Sequence, residues 1–169
     1  MSTSSQFSIE KPALQSLLDL LGECGQVVSV FLKPKRAVKP NFESTNQPLA
    51  ELIAIEAFEE SCSELGLVGQ EIKRFSTLNR LEFEGSLTAV VLEGGCHRST
   101  TGIPRSEANA VVAAGVEAVF PEPFSSIHVF RIDDESWCSL TNEATISSMY
   151  VAWEGARGLW WVLCIADFD

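Results

Sequence analysis

The densest apolar pattern in the chain runs from Ile146 to Asp169. Two apolar, aromatic-rich runs, Ile146 to Trp153 and Leu159 to Ala166, flank the short segment Glu154-Gly155-Ala156-Arg157-Gly158. Two such runs around a glycine-bearing connection predict a β-hairpin. The second run is apolar at every position. A strand that is apolar on both alternating faces has both faces covered, so it belongs in the middle of a sheet. Trp153, Trp160 and Trp161 fall in this hairpin and make it the main donor to the core.

Upstream, the patterns alternate between helical and extended. Pro12 suits a first helical turn. Leu14, Leu17, Leu18 and Leu21 follow at helical spacing, with Gly22 or Gly25 as the stop. Gln26 to Leu32 reads as a strand. Lys33 to Gln47 reads as a loop, and its Lys33, Lys35, Arg36 and Lys39 form the one basic cluster. Pro48 opens a predicted helix running to about Leu65. Its buried stripe is Leu49, Leu52, Ile55, Phe58, Cys62 and Leu65, and Gly66 ends it. Leu81 to Leu92 reads as a strand or hairpin, because Leu81 and Phe83 alternate with Glu82 and Glu84. Gly85 would then mark a bulge or turn. Ser106 caps a further predicted helix, with Val111, Val112, Gly115, Val116 and Val119 inward and Pro121 and Pro123 beyond it. Ile127 to Ile132 is a strand, and Asp133 to Glu135 a turn without a calcium-loop pattern.

The resulting order is α-β-α-β-α-β-β-β. Helices come early and strands late, which predicts a single α+β domain over residues 10–169, with residues 1–9 frayed. The sheet is expected to be mainly antiparallel, with a central C-terminal hairpin and about three helices packed on one face. The unit from Leu87 to Ile132 could add one parallel, right-handed crossover.

Composition narrows the class of protein. The chain has 169 residues, 46% hydrophobic and 21% charged, which is globular and not disordered. Twelve basic against 23 acidic residues give a net charge of −11. That field disfavours nucleic acid and anionic membranes as partners and is compatible with a basic protein. Five cysteines, Cys24, Cys62, Cys96, Cys138 and Cys164, are odd in number and lack CxxC spacing, so neither a disulfide scaffold nor a metal site is expected. Free thiols, no apolar run of membrane-spanning length and no signal-peptide pattern predict a cytoplasmic setting.

Two stretches carry candidate chemistry. The loop Gly94 to Gly102 follows a predicted strand and precedes a helix N-terminus. Cys96, His97, Arg98, Thr100 and the nearby Arg105 could hold an anion or phosphate there without a cofactor. The loop has neither the P-loop ending nor the dinucleotide glycine spacing. A Cys96 nucleophile would need a histidine near it in space, and His128, on a strand in phase with Phe130 and Ile132, is the other histidine besides His97. Glu82 and Glu84, read on one strand face, cannot flank a substrate as glycosidase carboxylates do. The second stretch is the acidic face Glu56, Glu59, Glu60 and Glu64 of the predicted second helix, a solvated face or a docking surface for a basic protein.

Two functions are therefore expected in competition. One is a non-catalytic, acidic interaction domain of inhibitor, immunity or adaptor type. The other is a small enzyme or anion-binding domain built on residues 94–102 with a histidine. A pocket holding Cys96, Arg98 and a histidine would favour the second, and an acidic surface without that cleft the first.

Overall fold

The computed structural model describes residues 8–34, 39–43, 47–96, 102–121 and 127–169. Its centre is a five-stranded, wholly antiparallel sheet. The strands are β1 (Gln26–Leu32), β2 (Phe75–Leu78), β3 (Ile127–Ile132), β4 (Ile146–Glu154) and β5 (Leu159–Asp167). They lie in the order β1-β5-β4-β3-β2. The β4–β5 hairpin occupies the middle, as the continuous apolar pattern of β5 requires. Every residue from Leu159 to Ala166 is buried.

Alternation along β5 divides the core in two. Trp161, Leu163 and Ile165 face one side, with Leu14, Leu17 and Leu21 of α1 (Pro12–Gly22), Phe83, Leu87 and Val91 of α4 (Arg80–Glu93), and Val112, Val116 and Val119 of α5 (Arg105–Val119). Trp160, Val162 and Cys164 face the other side. There the cover comes from α2 (Gln47–Ile53), α3 (Phe58–Ser61), a 3-10 turn at Ser63–Leu65, Ile72, and Trp137 from a second 3-10 turn. A short α6 (Ser139–Glu143) leads into β4. The expectation of helices on one face holds for the three long helices and misses this second, thinner layer.

Four further expectations are corrected. Residues 81–92 form neither strand nor hairpin but the interior of α4. The buried residues Phe83, Leu87, Thr88 and Val91 follow helical spacing, and Asn79 with Glu82 closes a capping box. Asn79 Oδ1 accepts from the Glu82 amide at 2.9 Å, while Glu82 Oε2 accepts from the Asn79 amide at 2.7 Å. Leu81, 62% exposed, supplied the false alternation. Gly85 is an ordinary helix-interior glycine, not a bulge. Second, the helix expected from Pro48 to Leu65 is interrupted after Ile53 and resumes at Phe58. The apolar stripe survives the break, since Leu49, Leu52, Phe58, Cys62 and Leu65 are buried. Third, Pro104 and not Ser106 is the residue before the first turn of α5. Fourth, the order of strands leaves no parallel crossover. The missing strand was β2, four residues long and too short to announce itself by alternation. Of the frayed segment expected at residues 1–9, Ile9 packs against the core, and residues 1–7 lie outside the described residues.

Polar groups fix the central hairpin. Trp161 Nε1 donates to Ser29 Oγ at 2.9 Å, locking β5 to β1 on the helical face. Glu154, 2% exposed, accepts from the Ala156 and Arg157 amides at 3.2 and 3.1 Å and from Arg157 Nε at 2.8 Å. Arg157 also donates to the Val119 carbonyl, tying the hairpin turn to the end of α5. A buried carboxylate is stable only when satisfied in this way.

Candidate functional site

The acidic stretch and its surroundings make the most distinctive surface. Phe58 of α3 points inward against Trp137, with ring centroids 6.2 Å apart, and Cys62 and Leu65 follow it into the core. The intervening Glu59, Glu60 and Glu64 are exposed, as is Glu56 in the turn before α3. Because the helix is interrupted, these carboxylates do not form one i,i+4 row. They spread over a turn, a single helical turn and a 3-10 turn. The α3 segment packs against β1, an outer strand of the sheet.

Next to Glu64 stands Leu67, 85% exposed and the most exposed large apolar residue among those described. Its backbone is held tightly. The Leu67 amide donates to Ser139 Oγ at 3.1 Å, and its carbonyl accepts from the Ser139 amide at 3.0 Å. Val68 bridges Cys138. Gly69 donates to the Trp137 carbonyl at 2.7 Å, and its own carbonyl accepts Trp137 Nε1 at 2.9 Å. Gly66 enters this clamp at φ +77, where a side chain would be strained and would meet Ser139. The leucine is thus presented on a rigid backbone, near the exposed carboxylates of Glu59, Glu60 and Glu64.

Of the second candidate, the described residues include Cys96 and Arg105. His97, Arg98 and Thr100 lie outside the described residues. Arg105 opens α5 and is exposed. Cys96 sits at the end of the sheet where β5 finishes, its amide donating to the Asp167 carboxylate. Desolvation, then the hydrogen bond and charge of Asp167, push the Cys96 thiol up, which is the reverse of what a thiolate nucleophile needs. Gly95 is required here, because a Cβ would lie 2.3 Å from an Asp167 oxygen and 2.7 Å from the Cys24 carbonyl.

His128 lies at the opposite end. It pairs with Trp153, which pairs with Trp160, whereas Cys96 is held by Asp167. The seven residue steps from Trp160 to Asp167 separate the two ends by about 23 Å at ~3.3 Å per residue. Cys96 and His128 therefore do not form a pair. His128 stacks flat on Phe42, with centroids 3.5 Å apart and planes 7° apart. Burial and the charge of Lys39 hold its pKa down, so it is neutral near pH 7. It borders a cleft of about 490 Å³ with Phe42, Phe75, Thr77, Glu43 and Glu82. His128 lies on the strand that its spacing predicts. The cleft has no local sequence signal, because Phe42 and Thr77 reach it from distant segments.

The other acidic candidates have structural roles. Asp134, 6% exposed, accepts from the Lys73 amide at 3.0 Å and from Ser136 Oγ at 2.7 Å, which holds its carboxyl below the usual range. Glu84 pairs with Arg80 at 2.8 Å along α4. Among the described residues, no three His, Cys, Asp or Glu side chains gather as metal ligands. No described helix is long and apolar enough to cross a membrane. Compared with protein-family models, curated proteins and solved structures, the chain matches none.

Proposed function

We propose that this protein is a non-catalytic interaction domain that docks a basic protein on the surface formed by Glu56, Glu59, Glu60, Glu64 and Leu67, in the manner of an inhibitor, immunity or adaptor protein. One observation carries the reading. In residues 56–67 Phe58, Cys62 and Leu65 pack inward, while four exposed carboxylates lead to a leucine 85% exposed on a clamped backbone. A rigid apolar anchor needs no ordering on binding, and a field of one sign around it speeds encounter with an opposite charge. The net charge of −11 acts in the same direction and opposes nucleic acid. Five free thiols, four of them buried, suit a reducing cytoplasmic setting.

The test is capture of partners from the source cell with the native chain and with a Glu59→Gln, Glu60→Gln, Glu64→Gln variant. For the captured partner, association rate is then measured against ionic strength. The native chain should associate faster at low salt and lose that advantage as salt rises, with dissociation little changed. Equal association rates for the two proteins at low salt would refute the acidic surface as the docking face.

A further inference from the structure

The two outer strands of the sheet differ in the edge they offer. β2 is four residues long, a short edge of the kind that limits further pairing. β1 spans seven residues, Gln26–Leu32, without a charge, proline, glycine or bulge, and its pairing with β5 is regular throughout. Among the described residues, none hydrogen-bonds to its outer edge. Long, regular, uncharged edges are ones that folded proteins ordinarily blunt, because the free N–H and C=O groups template a further strand.

Both flanks of this edge are shaped. On the face of α1, Ser29 and Phe31 line an open groove of about 540 Å³ with Ile9, Pro12, Leu14 and Leu18. On the other face, α3 packs against β1 and displays Glu59 and Glu60. We propose that the outer edge of β1 takes an extended segment of the basic partner as a sixth strand. Side chains of a strand alternate between its two faces. The added strand therefore places apolar residues in the groove and basic residues toward α3, every second position each. A second copy of this chain fits poorly, since each copy carries −11 and its own β1 has no basic residue. The occupant's basic character rests on the function proposed above; the strand addition itself does not.

The test uses a library of displayed random short peptides selected on the full-length protein. Enriched peptides should alternate apolar and basic residues and slow amide exchange in β1. One N-methyl group at a pairing position of the peptide should weaken binding about tenfold, the equivalent of one lost backbone hydrogen bond. Peptides that protect β1 but carry no basic residues support strand addition and count against the acidic face. Enriched peptides that protect only residues 56–67, or no enrichment over an unrelated bait, overturn the strand addition. So does a dimer of the free protein in sedimentation that protects β1 by itself.

Discussion

The same substitution, glycine to alanine in a helix interior, should have opposite effects at Gly85 and Gly115. In α4, a Cβ added at Gly85 meets nothing within 4 Å, so Gly85→Ala gains helix propensity without penalty, about 1 kcal/mol. In α5, a Cβ at Gly115 would lie 2.5 Å from Leu17 Cβ and 2.6 Å from Leu17 Cδ2. Leu17 is fully buried. No rotamer of Leu17 relieves a contact with its own Cβ, so α1 has to move away from α5. Overpacking of this kind costs about 1 to 3 kcal/mol, and the backbone shift puts it in the upper half. After subtracting the same propensity gain, Gly115→Ala should destabilise by about 1 to 2 kcal/mol. The assay is urea denaturation of both variants beside the native chain, comparing midpoints at unchanged slope. Gly85→Ala should move the midpoint up and Gly115→Ala down. Equal shifts would refute the close approach of α1 and α5, and a destabilised Gly85→Ala would refute the helical assignment of residues 80–93.

Three further outcomes are expected. Trp161→Ala should cost about 3 to 5 kcal/mol, and Trp161→Phe less, because the second keeps the packing against Phe31, Phe83 and Phe120 and loses the bond to Ser29; thermal unfolding of both ranks them. Cys96 should alkylate first, as the one cysteine that is not buried, yet more slowly near pH 8 than an unstructured thiol; Asp167→Asn should lower its pKa and speed the reaction, and an unchanged rate would remove Asp167 as the cause. Asp134 has a folded pKa below its unfolded value near 3.8, so its contribution is present above that pH and lost as pH falls through the folded value. The stability gap between native protein and Asp134→Asn should therefore shrink on acidification below about pH 4, as followed by denaturation at a series of pH values.

What the sequence determined by itself was the placement of residues whose neighbours are local or whose burial is total. The run Leu159 to Ala166 had to be central because no face of it could meet water, and the inward stripes of α1, α5 and residues 49–65 follow from spacing alone. The capping box at Asn79 and Glu82 was equally local and legible. A short alternation at Leu81 to Glu84 points to a strand instead, and four residues of period two are a weaker signal than a paired cap. The carboxylates of residues 56–64 were readable as outward, since the inward positions were already taken. Only the tertiary structure decided the rest. It placed Leu67 on a clamp made with Ser139, 72 residues away, and put β1 at an edge with α3 beside it. It also set Cys96 against Asp167 at the opposite end of the sheet from His128. Each of these depends on which strands neighbour one another. That order is set by pairings between segments far apart in the chain, and a local pattern of apolar and polar residues does not encode them.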